Sequence, residues 1–436
     1  MKSLRFFILL AFFLKTTAAQ SQTHIISTDI DNFWQAYDGI ITSADTAQQY
    51  QMLDKLFLSK ATPGLKAIME VRDYTAKSYI DAIKNYPLFW KSIRANTLKA
   101  KSFSTQIDQG IARFKKLYPK IKPATIYFTM GALRTNGTTQ NNQILIGSEL
   151  ALADSSINST EFPATLSHLI PFFKSNPIQH VVFGNVHEYV HTQQKTTVAN
   201  TLLGQCVLEG VADFLAVKAT GQPSPTPALV YGPEHAARIK SVFAQQMFKA
   251  NNGFWLYSSQ ANEFNVRDLG YYVGTAICQL YYKKAKNKTL AIKEMIELDY
   301  NNDSALMAFV DRTGYFNQNM KLLRRTFEAS RPYVIAIEEL KNQSANVDTR
   351  INQLTIRFSE PMNTGARGFD FGPLGETNVL RVKRYIGFSA DGKSVSIEVD
   401  LTPNKHYQLL LTDRFENVNG VPIKPFLIEF DTSAVK

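Results

Sequence analysis

His187-Glu188-Tyr189-Val190-His191 lies inside an apolar stretch that opens at Asn176-Pro177, and its spacing decides how the rest of the chain reads. On a helix, residues four apart share one face a turn apart, so both imidazoles can be aimed at a single ion. Glu188 flanks the same point. Two histidines and a carboxylate in H-E-x-x-H order are the parts of a metallohydrolase site, in which the carboxylate takes a proton from water. Val181, Val182, Val186, Tyr189 and Val190 supply the buried side of this helix, which leaves His187 and His191 to the opposite or flanking face. Asn176 is expected to cap the helix, with Pro177 in its first turn.

A second helical run is expected over 202–218, closed by Gly221 and the proline-rich segment that follows it. It carries Leu208-Glu209-Gly210-Val211-Ala212-Asp213-Phe214. Glu209 follows His191 by enough residues for a turn and a returning antiparallel helix, so its carboxylate is expected to be a third metal ligand. Two His and one Glu leave a fourth tetrahedral position open, as a catalytic zinc site requires. Asp213, one turn on, can accept the other N–H of a ligating imidazole and raise its basicity. After His191 the chain reads Thr192-Gln193-Gln194-Lys195, with no third histidine close behind, which excludes the metzincin continuation.

In His187, Glu188, His191, Glu209 and Asp213 the chain resembles the gluzincin zinc metallopeptidases, and the E-G-x-A-D-F form resembles exported bacterial members. The resemblance covers roughly residues 176–218, with a weaker extension to about 290. It implies one catalytic Zn2+ held by His187, His191 and Glu209, with Glu188 as general base and a peptide or protein as substrate. A further donor to the oxyanion is expected from a Tyr or His. Tyr271 and Tyr272 in Leu269-Gly270-Tyr271-Tyr272-Val273-Gly274 qualify, and His235 is the alternative.

At the N-terminus, Lys2 and Arg5 precede the apolar run from Phe6 to Leu14, and the small residues Ala18 and Ala19 follow. This is a signal-peptide layout over residues 1–19, with an uncleaved anchor as the other reading. The run is too short to span a bilayer, and no stable membrane insertion is expected elsewhere. The protein is expected to be exported, either periplasmic or secreted and at the cell surface. The formal charge of +11 comes from Lys and Arg interleaved with Asp and Glu. That is a solvated surface rather than a nucleic-acid footprint. The only two cysteines, Cys206 and Cys278, read equally well as one disulfide or as two buried thiols.

Residues 29–118 are helical in period, with Trp34, Phe89 and Trp90 as core aromatics. A strand over 124–130, a Gly- and Asn-rich turn over 134–142 and a returning strand over 143–147 form a small sheet beside the metal helix. Its edge is a place where an extended substrate can add backbone hydrogen bonds. Further helices are expected near 291–298, 304–310 and 319–327. Beyond Arg331-Pro332 the period becomes alternating, with strands over 354–358, 379–388, 395–399, 407–411 and 426–430. Phe358-Ser359-Glu360-Pro361-Met362 and the Asp391-Gly392-Lys393 turn resemble bacterial Ig-like domains of surface-layer and secreted proteins.

The fold expected is therefore multidomain α+β. A mainly helical zincin-like catalytic domain with a small β-sheet (20–330) precedes an Ig-like β-sandwich (331–436) that serves as a spacer or binds an envelope partner. The alternative is a non-catalytic, zinc-containing cell-envelope protein.

Overall fold

The computed structural model describes residues 24–258 and 261–434, so the signal-peptide reading of residues 1–19 lies outside it. The chain is α+β and multidomain, with small sheets among many helices. Two compact units divide it: residues up to Gln193 with Leu215–Pro223, and Gln194–Phe214 with the chain from Ser224 onward.

The first unit opens with six helices between Thr28 and Leu117. Their starts follow from local chemistry. The Asp45 side chain accepts from Ala47 N, Thr62 caps a helix with proline in its first turn, and Thr75 and Ser78 form a reciprocal capping box. Phe33, Phe57, Tyr79, Phe89 and Trp90 are fully buried, and Trp34 nearly so, in one aromatic core. The Phe33 and Trp90 rings, for example, lie 4.9 Å apart. These residues are packing, as their period indicates.

The small sheet has the order β1 (His24–Ile26), β2 (Thr125–Thr129), β4 (Gln143–Gly147), β3 (Thr138–Gln140). Here the structure corrects the sequence. β2 and β4 are parallel, and the antiparallel partner of β4 is β3, inside the stretch expected to be only a turn. The tight turn is at Asn141, whose φ of +55° is one asparagine tolerates. β3 is thus an edge strand of the sheet, half-buried along its length.

The HExxH helix spans Val181–His191 and is preceded by a 3-10 turn over Pro177–His180. Asn176 does not cap it. That residue sits in left-handed backbone at the head of the 3-10 turn, and its side chain accepts from Ser155 N. His187 and His191 are buried along with the valines. The helix is anchored by Tyr189, whose hydroxyl accepts from Ala124 N and donates to Lys122 O, both at 3.1 Å.

A second long helix, called here the glutamate helix, spans Leu202–Thr220. Its first N–H groups would be orphans in a free helix. In the second unit Leu202 N and Leu203 N donate to Lys249 O and Met247 O, each at 2.8 Å. The tyrosine helix, Leu269–Lys284, crosses it with backbones almost touching. A Cβ on Gly274 would lie 1.7 Å from Cys206 O, and one on Gly210 would lie 2.1 Å from the Gly274 carbonyl carbon. Only glycine fits at either place. Cys206 and Cys278 are free, buried thiols, both pushed up in pKa chiefly by burial.

After Arg331 the second unit contains seven strands among the described residues, two more than the sequence pattern gave. They are β5 (Val334–Ile337), β6 (Gln353–Phe358), β7 (Phe369–Asp370), β8 (Val382–Phe388), β9 (Ser394–Val399), β10 (His406–Leu411) and β11 (Phe426–Asp431). They form sheets ordered β5-β6-β9-β8 and β11-β10-β7, which share one apolar cluster that includes Leu354, Ile397, Leu409 and Ile428. The Phe358-Ser359-Glu360-Pro361-Met362 stretch leads out of β6 and folds onto the Asp391-Gly392 turn, with Met362 N donating to Gly392 O at 3.0 Å.

Replacing Gly274 with alanine should destabilise the chain by about 3 kcal/mol, since the added methyl meets backbone and no flexible side chain can yield. Urea unfolding of the Gly274→Ala chain measures this, and a loss below about 1 kcal/mol would contradict the described helix crossing.

Candidate metal centre

One helical turn brings the Nε2 atoms of His187 and His191 to 3.1 Å from each other. For zinc bound at about 2.0–2.1 Å, two tetrahedral ligands lie about 3.3 Å apart, so this spacing fits a shared ion. Two neutral imidazoles meeting through the same ring nitrogen are held together either by one proton or by a cation. Glu209 completes the set, with one ligand atom from each of the three residues within 4.8 Å of the others. All three side chains are nearly buried, at 9%, 7% and 5% exposure for His187, His191 and Glu209. The donor set of two neutral nitrogens and one carboxylate oxygen, withdrawn from water, matches the chemistry of a catalytic zinc site.

Glu188, one residue beyond His187, is not a member of this group. Thr139 on the edge strand β3 donates from Oγ1 to its Oε2 at 2.7 Å. The backbone of Gly137 passes close by, and a Cβ there would sit 3.4 Å from Glu188 Oε1. The sheet edge thus holds the carboxylate that the sequence assigns as general base.

The other assigned residues differ in their surroundings. Asp213 is buried and accepts from Ser224 Oγ at 2.6 Å. Burial, and then the charge of Glu209, push the Tyr271 hydroxyl well above the ordinary tyrosine value. Tyr272 instead packs its ring on Gly232, where a Cβ would come within 2.2 Å of Tyr272 Cγ. His235 stacks on Tyr231 at 3.8 Å with ring planes 4° apart, its Nδ1 3.0 Å from Tyr231 O.

The residue that sequence reading missed is Tyr257. Its hydroxyl donates to Glu209 Oε1 at 2.5 Å, and Gln205 Nε2 lies 3.4 Å from the same oxygen. Tyr257 belongs to a loop without periodic pattern, and a single tyrosine there carries no signal that it folds back onto a helix 48 residues earlier.

No family model matches the chain, and no curated protein matches it. Among solved structures, "Crystal structure of the S-layer protein rSbsC(31-844)" aligns at 10% identity and a TM-score of 0.18, over 94% of this chain and 45% of that one. "Structure of surface layer protein SbsC, domains 1-6" aligns at 11% identity and a TM-score of 0.19, with the same coverage. The chain therefore spans under half the length of these two structures, and scores this low carry no correspondence of fold or function. No helix among the described residues is long and apolar enough to cross a membrane.

A second carboxyl lies beneath the loop that leads into β3. Glu149 is fully buried and accepts from Gly131 N at 2.9 Å and Leu133 N at 3.2 Å. Burial pushes its pKa from the ordinary 4.5 up to about 7, against the pull of those N–H groups. The folded protein therefore holds this proton more tightly than the unfolded chain does. Its contribution to stability is full below about pH 4.5 and is lost as pH rises through about 7, by about 3 kcal/mol in all. Urea unfolding at intervals from pH 4.5 to 8 should show that slope in the natural chain and a flatter one in Glu149→Gln. Equal slopes would contradict the assignment.

Proposed function

We propose that the protein is an exported zinc-dependent peptidase of the gluzincin type. One observation carries the reading: two Nε2 atoms and the Glu209 carboxylate converge, while Glu188 stands beside them on the helix, held by Thr139 and outside the ligand set. A purely structural zinc site has no use for such a carboxylate.

Zinc held there supplies Lewis acidity, polarising a peptide carbonyl and bringing the pKa of water towards about 7. The remaining work belongs to the chain. Glu188 accepts a proton from the attacking water and returns it to the departing amine. Thr139, by donating to Glu188 Oε2, keeps that carboxylate oriented for both transfers. Tyr271, whose hydroxyl is raised in pKa by burial and then by the charge of Glu209, is the favoured hydroxyl donor to the oxyanion. The free edge of β3 offers backbone N–H and C=O groups to an extended peptide, which sets the substrate as an unfolded or flexible segment.

Export is inferred from the signal-peptide layout of residues 1–19. The seven strands after Arg331 are read as an Ig-like module, on the strength of two sheets closing over one apolar cluster and of the Met362–Gly392 contact. As a spacer or binding module it would carry the peptidase to a surface partner.

Purified protein should hold one zinc by elemental analysis and cleave an unstructured protein. Glu188→Gln should keep the zinc and lose at least about a hundredfold in cleavage rate. Full activity in that variant contradicts the mechanism. Zinc binding without cleavage of any member of a broad peptide library favours the non-catalytic envelope reading instead.

A further inference from the structure

Tyr257 combines two features that ordinary packing does not explain. Its φ is +59°, a left-handed backbone that bulky L-residues rarely adopt and that persists only where the surroundings enforce it. Yet the residue as a whole is 54% exposed, its ring meeting Tyr271 edge-on with centroids 6.4 Å apart. What the conformation achieves is the placement of one hydroxyl.

The hydrogen bonds around that hydroxyl have a fixed direction. Ala199 N donates to Gln205 Oε1 at 2.8 Å, which identifies the other end of that amide as the NH2 group. Gln205 Nε2 then donates to the Tyr257 hydroxyl oxygen at 3.0 Å. The tyrosine proton is left to point at Glu209 Oε1, 2.5 Å away. The backbone side is pinned as well. Tyr257 N donates to Asp268 Oδ1 at 2.8 Å, Asp268 is itself left-handed at φ +62°, and Arg267 Nε holds its other oxygen at 2.6 Å. Two left-handed residues and five directional hydrogen bonds thus fix the hydroxyl that donates to Glu209 Oε1.

We infer that Tyr257 is a positioning residue for the metal-binding carboxylate: its hydroxyl holds Glu209 in the orientation from which it meets His187 and His191. This rests on the zinc reading proposed above and names a residue that the H-E-x-x-H and E-G-x-A-D patterns do not contain. A hydrogen-bond donor to a ligating carboxylate fixes its rotamer before the ion arrives, so the ordering cost is met during folding and not on binding.

The test is zinc affinity of the full chain, measured by competition with a chromogenic chelator, alongside urea unfolding of the metal-free forms. Tyr257→Phe keeps the ring and removes the donor. It should bind zinc 10- to 100-fold more weakly, with an unfolding midpoint close to that of the natural chain. Tyr257→Gly separates positioning from structure, because glycine is at ease at a positive φ. Its metal-free form should unfold at a denaturant concentration no lower than that of Tyr257→Ala, while its zinc affinity falls at least as far as in Tyr257→Phe. Zinc affinity in Tyr257→Phe within twofold of the natural chain overturns the inference and leaves the peptidase reading intact. Failure of the natural chain to bind zinc at all overturns both.

Discussion

A carboxylate buried beside two imidazoles is the constraint on which the rest of this structure turns. Glu209 is 5% exposed, and a charge removed from water to that degree is costly unless something answers it. Tyr257 and Gln205 answer part of it through Oε1. The ring nitrogens of His187 and His191 converge near the same carboxylate through the atoms that ligate metals. A site organised in this way requires helices that do not drift, and the chain supplies them by different means. The HExxH helix is fixed through Tyr189 to the residues entering β2. The glutamate helix is started by the carbonyls of Met247 and Lys249, and its distance from the tyrosine helix is set by Gly210 and Gly274.

Function in this account comes from what stands just outside the ligand set. Glu188 shares the helix of the two histidines but is turned to Thr139 on β3, so this carboxylate and the sheet's edge strand are parts of one local arrangement. The loop above β3 rests on Glu149, a buried carboxyl that accepts two backbone N–H groups. The edge strand is thus shaped from below by one acid and joined to another.

How far the sequence disclosed this depends on the range of the interaction. Spacing of four on a helix is local, and it placed His187 and His191 together. A carboxylate on the next helix lies one short connection away, from His191 to Leu202, and Glu209 was legible for that reason. Tyr257 reaches Glu209 from a loop with no period, and neither its left-handed backbone nor its partner has a sequence signature. Tyr272 and His235 shared the residue types of the site but are occupied by packing against Gly232 and Tyr231. The small sheet was misread because alternation identifies a strand but not its direction, so the parallel pairing of β2 with β4 and the short β3 between them were invisible. Asn176 was assigned as a cap from its type, whereas its side chain serves Ser155 and its backbone starts a 3-10 turn. In the C-terminal segment the strands with long alternating runs were found. The two-residue β7 and the four-residue β5 fall below what a period can reveal.

The most direct test of the central claim is the zinc K-edge X-ray absorption spectrum of the protein loaded with one equivalent of zinc. The account expects nitrogen and oxygen ligands at about 2.0–2.1 Å, outer-shell scattering from two imidazoles, and no sulfur near 2.3 Å. A shell without imidazole scattering, like that of hydrated zinc, or one containing sulfur from Cys206 or Cys278, would contradict it.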